Sequence, residues 1–132
     1  MKKVFIPALA VLDAAVKDLE EAGRMLLGQM AMKVNSEDLV TTFIGGGVSI
    51  LHARDWVEVP VMGFMRPAQP IQEDGAMVEY VFLVVSPKED PDAHLIALAR
   101  IARLMTDGPA RENLMKTRST QEALELLERY SG

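Results

Sequence analysis

The chain of 132 residues has no cysteine, only two histidines, one tryptophan and few aromatic residues of any kind (5%). The absence of cysteine excludes disulfides, thiolate nucleophiles and cysteine-ligated zinc, and as a compartment signal it leans toward the cytoplasm. Positive charge is in deficit, at net −5. A surface that neutralises phosphates with basic residues and stacks bases on rings has little to draw on, so no nucleic-acid partner is expected. No apolar run approaches the ~20 residues that cross a bilayer, so membrane insertion is not expected either. Met1-Lys-Lys followed by Val4 to Leu12 has the basic and apolar look of a signal peptide. The A-x-A at Ala8 to Ala10 lies inside the apolar run, however, and Asp13 with an amphipathic pattern follows at once, so the segment is read as part of the domain.

What remains is an ordinary globular composition, 49% apolar and 25% charged. It is enough for one domain over residues 1–132 with a real core. Residues 4–12 suit a short strand or an extended arm broken by Pro7. A helix is expected from about Asp13, as N-cap, to Lys33, with Val16, Leu19, Gly23, Leu26 and Met30 on one face. Asn35 to Asp38 is a polar break. Gly45, Gly46 and Gly47 read as a tight turn, because glycine accepts positive φ. They run into an apolar strand, Val48 to Leu51, that delivers His52.

Ala53 to Glu58 reads as a connector and Val59 to Phe64 as a second strand, placed at an edge by Pro60 and with Gly63 as a possible bulge. Arg66 to Gly75 is a loop. Met77 to Val85 is the most continuous apolar run and suits a central strand buried on both faces. Asp90 and Pro91 open a helix as N-cap and first residue, with Leu95, Leu98, Ile101, Ala102 and Met105 as its apolar stripe and Asp107-Gly-Pro109 as its stop. Pro109 to Lys116 forms a helical turn or two. Ser119 to Glu122 is a capping box for a last helix. The nine methionines read as adaptable core filler.

If both connections after the His52 strand reverse the chain, the first and third core strands run the same way. The residues after them then share one sheet edge, which brings His52 near His94 in the first turn of the following helix. Such an edge is where open α/β sheets gather ligands, and a helix N-terminus favours anions. A parallel crossover at either connection would undo the juxtaposition.

Two imidazoles beside an anion-friendly helix end suit phosphoryl chemistry. A neutral imidazole is a usable nucleophile near pH 7, and a second one can hydrogen-bond the phosphoryl oxygens. Gly46 and Gly47 can add backbone amides. Each feature alone has a plainer reading. A single histidine at a strand end is more often structural, and the glycines lack both the GxGxxG spacing and the P-loop lysine. A two-histidine metal site lacks a clear third ligand, although Glu89, Asp90 and Asp92 lie near His94.

Thr41-Thr-Phe-Ile-Gly-Gly-Gly-Val-Ser-Ile-Leu-His52 resembles the active-site stretch of the mannitol/fructose-type EIIA domains of the bacterial phosphotransferase system, including the nitrogen-regulatory EIIA, whose pattern is roughly S-T-G-I-G-x-G-I-A-I-P-H. Tyr80 to Ala99 resembles the same family's central strand, loop and HL-x-x-L-A helix, and Leu114 with Ser119 to Leu124 resembles its C-terminal helices. The resemblance implies a single α/β domain with a mixed central sheet sandwiched by helices. It implies that His52 accepts a phosphoryl group from an HPr-type carrier, that His94 supports it, and that the group passes to an EIIB-type domain or serves as a regulatory signal. No cofactor or metal is implied.

Three departures stand out. Ser36-Glu37 occupies the place of the family's Arg-Glu, Leu51 that of the proline before the active histidine, and the segment between the first helix and Glu37 is short. Arg54 is the candidate to replace the lost arginine. The alternatives are an EIIA-like regulatory module that has lost efficient transfer, and a small-anion or metal-binding regulatory domain using the same edge.

Overall fold

The computed structural model describes residues 3–132. In chain order the elements are β1 (Ile6–Ala14), α1 (Leu19–Gln29), a 3₁₀ turn (Ser36–Asp38), β2 (Val40–Gly45), β3 (Val48–Asp55), β4 (Val61–Pro67), β5 (Ile71–Glu73), β6 (Ala76–Val78), β7 (Tyr80–Pro87), α2 (Pro91–Thr106), α3 (Gly108–Met115) and α4 (Thr120–Arg129). Every residue of β7 is buried, and β7 is the middle strand of a five-stranded sheet ordered β1-β4-β7-β3-β2. The sheet is mixed: β1 runs parallel to β4 and β3 parallel to β7, while β4 with β7 and β2 with β3 are antiparallel. Side chains of a strand alternate between faces, so β7 serves two cores. Phe82 and Val84 pack with Ile50, Phe64, Ile101, Leu104 and Leu127 under α2–α4. Val81, Leu83 and Val85 pack with Leu19, Leu26, Leu51, Met65 and Ile71 under α1 and the β5–β6 hairpin. Each large side chain so buried is worth about 1.5–3 kcal/mol.

Several boundaries differ from the sequence expectation. The signal-like start rests partly on Met1 and Lys2, which lie outside the described residues, but the apolar run after it pairs with β4. The first helix starts at Leu19 rather than Asp13, and its N-cap is Asp18, whose Oδ1 accepts from the Glu21 amide at 2.8 Å. Asp13 is instead the extra residue where β1 slips register against β4 between Leu12 and Ala14, with φ of 55°. The helix ends at Gln29, and Ala31 takes a left-handed conformation (φ 57°) beyond it.

Pro60 does not make β4 an edge strand. It precedes the strand, which lies between β1 and β7. Gly63 is in register with Leu83, and the irregularity falls opposite it on β1, between Pro7 and Leu9. What Gly63 allows is close packing, since a Cβ there would lie 2.7 Å from the Met30 sulfur. The expected loop of residues 66–75 contains β5, and the expected strand of residues 77–85 breaks at Glu79, where the Glu79 and Tyr80 amides both donate to the Gly47 carbonyl. The buried stripe of α2 is His94, Ala97, Ile101, Leu104 and Met105. Leu95, expected in that stripe, is 62% exposed; small Ala97 lies against the sheet, and the helix is turned so that His94 faces inward.

Candidate active site

His52 lies on β3 in register with Val84 of β7, and the two strands are parallel. The chain reverses from β3 to β4 and again from β4 to β7, so the ends of β3 and β7 reach the same edge. From there Asp90 caps α2, accepting the Ala93 amide at 3.0 Å, with Pro91 in the first helical position. This places His94 in the first turn. The two imidazole rings lie 5.0 Å apart, centroid to centroid, at 56°.

Each ring is held by a hydroxyl. The Thr42 hydroxyl on β2 is 3.0 Å from His52 Nε2, and the Ser86 hydroxyl at the end of β7 is 2.9 Å from His94 Nδ1. Burial lowers the His52 pKa below its ordinary 6.5, and nearby His94 and Arg54 lower it further. Burial followed by Arg54 lowers that of His94. Both rings are therefore neutral near pH 7, with lone pairs available for attack or for hydrogen bonding.

The histidines open into a cleft of about 640 Å³ rimmed by Lys33, Arg54 and Lys88, with Asp38 and Asp55 at its margin. Arg54 lies two residues beyond His52 on the same strand, so it shares its face. Among the described residues it has no salt-bridge partner. Lys88 sits 5.2 Å over the exposed Trp56 ring.

Not every residue singled out in the sequence arrives here. Gly45, Gly46 and Gly47 do form a tight turn, with φ of 83°, 61° and 78°, but the turn closes the β2–β3 hairpin at the opposite end of β3. At about 3.3 Å per residue, Gly47 stands roughly 16 Å from His52. Arg111 pins that turn by donating to the Gly46 carbonyl at 2.5 Å, with its guanidinium over the Tyr80 ring. Ser36 is also elsewhere, in a separate cleft with Leu39, Thr41 and Glu73. Among the described residues no group of three histidines and carboxylates comes together as a metal site.

Residues 9–130 match the sequence model of the family described as phosphoenolpyruvate-dependent sugar phosphotransferase system, EIIA 2. The chain belongs to this EIIA family. The EIIA domain is 34% identical over 122 residues to a nitrogen regulatory protein from Bradyrhizobium diazoefficiens, covering 89% of this chain and 80% of the relative. It is 29% identical over 127 residues to a PTS system fructose-specific EIIA component from Haloferax volcanii, covering 93% and 78%. It superposes on the crystal structure of the nitrogen regulatory protein IIA-Ntr from Neisseria meningitidis with a TM-score of 0.75 at 23% identity, over 94% of this chain and 96% of that one, which establishes the EIIA fold. Among the described residues no helix of this EIIA domain is long and apolar enough to cross a membrane.

Two residues of the site went unread in the sequence. Thr42 lies on β2, an exposed edge strand with no apolar alternation to reveal it. Ser86 left a signal: it is the one small polar residue near the end of an otherwise hydrophobic buried strand.

Proposed function

We propose that this EIIA domain accepts a phosphoryl group on His52 from an HPr-type phosphocarrier, and passes it to an EIIB-type domain or holds it as a regulatory signal. The observation that carries this reading is the pair of imidazoles 5.0 Å apart in a cleft also lined by Lys33, Arg54 and Lys88. In the transfer, the unprotonated ring nitrogen of His52 attacks phosphorus. A new N–P bond forms as the donor's N–P bond breaks, and the bonding pair returns to the donor imidazole. His94 gives a hydrogen bond to the phosphoryl oxygens. Arg54, beside His52 on the cleft face, supplies the positive charge that the family's arginine would otherwise give. No metal or cofactor takes part.

The likeness to a protein named as a nitrogen regulatory protein favours a regulatory over a purely sugar-transporting role, exercised in the cytoplasm where soluble carriers are met. The test is phosphoryl transfer from phosphoenolpyruvate through enzyme I and the HPr-type carrier of the source organism, read as acid-labile phosphate. Stoichiometric labelling is expected. A folded, unlabelled protein beside a competent control EIIA would instead support the second reading, a regulatory binding module. That reading is favoured by Ser36, which replaces the family arginine and lines a different cleft.

A further inference from the structure

We propose that Ser86 is a positioning residue that holds His94 in the tautomer with its proton on Nε2, so that His94 can donate to a phosphoryl group on His52. This rests on the phosphocarrier reading for its purpose, but not for its structural content.

Ser86 is fully buried at the end of the central strand, in register with Arg54. Among the described residues, its hydroxyl has one hydrogen-bond partner, His94 Nδ1 at 2.9 Å. A buried hydroxyl has a proton that needs an acceptor, and leaving it unpaired is costly. Were Nδ1 to carry the proton and donate to Ser86 Oγ, the serine proton would have nowhere to go. With Nδ1 bare, serine donates to it, both groups are satisfied, and the imidazole proton sits on Nε2. Nδ1 being tied to the sheet, Nε2–H is the donor that His94 has left to offer. The same contact fixes the ring's rotation, since Nδ1 is anchored to a strand and the backbone to the first turn of α2.

The test begins with long-range proton–nitrogen correlation spectra of the two histidine rings in the unphosphorylated protein, assigned with His52→Ala. His94 is expected in the Nε2–H form, and Ser86→Ala is expected to raise the Nδ1–H population. Ser86→Ala should also slow phosphoryl transfer to His52 on the order of tenfold, the equivalent of about one lost hydrogen bond, with KM for the carrier unchanged. In a His94→Ala background it should add nothing. Ser86→Thr, which keeps the hydroxyl, should keep the wild-type tautomer, and the wild-type spectrum alone decides the matter if the alanine variant does not fold. An Nδ1–H tautomer in the wild type, a tautomer indifferent to Ser86→Ala, or an equal loss in the His94→Ala background would each overturn the assignment. The spectra do not depend on phosphorylation, so failure of the phosphocarrier reading would show separately, as absent labelling.

Discussion

Arg54 is the residue whose charge we propose serves the phosphoryl group, since it lines the cleft with His52. Its guanidinium shares the cleft face with His52 and is not committed to a carboxylate among the described residues. A charge-assisted contact to phosphate is worth about 1.5–3 kcal/mol. Arg54→Ala should therefore slow phosphorylation on the order of 10- to 100-fold, measured as initial rate with saturating carrier, while Arg54→Lys recovers part of it. An unchanged rate in Arg54→Ala would remove Arg54 from the site. Arg54 was legible in the sequence because it lies two positions from His52. The hydroxyls that hold the rings were not: Thr42 reaches His52 across a strand pair, and Ser86 reaches His94 across a strand-to-helix connection. Contacts of that kind depend on register, which a single sequence does not display.

The strand-to-helix unit, β7 into α2, is what brings the second histidine to the first. Asp90 terminates the connection by capping α2, and His94 sits one turn inside. Asp90→Ala should cost about 1 kcal/mol of stability, seen as a lower denaturant midpoint, and should slow phosphorylation because His94 is carried by the frayed turn. The glycine turn is a contrasting element. Arg111→Ala unpins it by removing the bond to the Gly46 carbonyl. It should lower the thermal midpoint yet leave the phosphorylation rate unchanged, because the turn is at the far end of β3. A fall in rate beyond the loss of folded protein would mean that the glycines reach the phosphoryl group after all. The composition of the turn was plain in the sequence. So was its separation from His52, since the strand Val48 to Leu51 lies between them; what the sequence does not display is that the turn is a hairpin tip, because the exposed Val40–Gly45 strand has no apolar alternation.

Across the whole molecule, the two reversals and the central place of β7 follow from connector lengths and one long apolar run, but the sheet order does not, because Pro60 reads as an edge signal for β4 and the exposed β2 carries no apolar alternation. Helix ends and the facing of α2 do not either, because bulges and small packing residues such as Gly63 and Ala97 set them. The molecule as a whole also records the state of its histidines. Both have folded pKa values below 6.5, so below about pH 6.5 the unfolded chain takes up protons that the folded one refuses. Stability is fully present above that pH and falls as pH drops through the lowered folded values. The thermal midpoint should decline from pH 7 toward pH 5.5, less steeply in His52→Ala, and phosphoryl acceptance should persist somewhat below pH 6.5 because the rings stay neutral.

The decisive measurement is intact mass after exposure to phosphoenolpyruvate, enzyme I and the HPr-type carrier, made on wild type, His52→Ala and His94→Ala side by side. One phosphoryl group on the wild type, none on His52→Ala and slow acquisition by His94→Ala is the expected result. A phosphoryl group retained by folded His52→Ala would contradict the assignment of His52 as the acceptor.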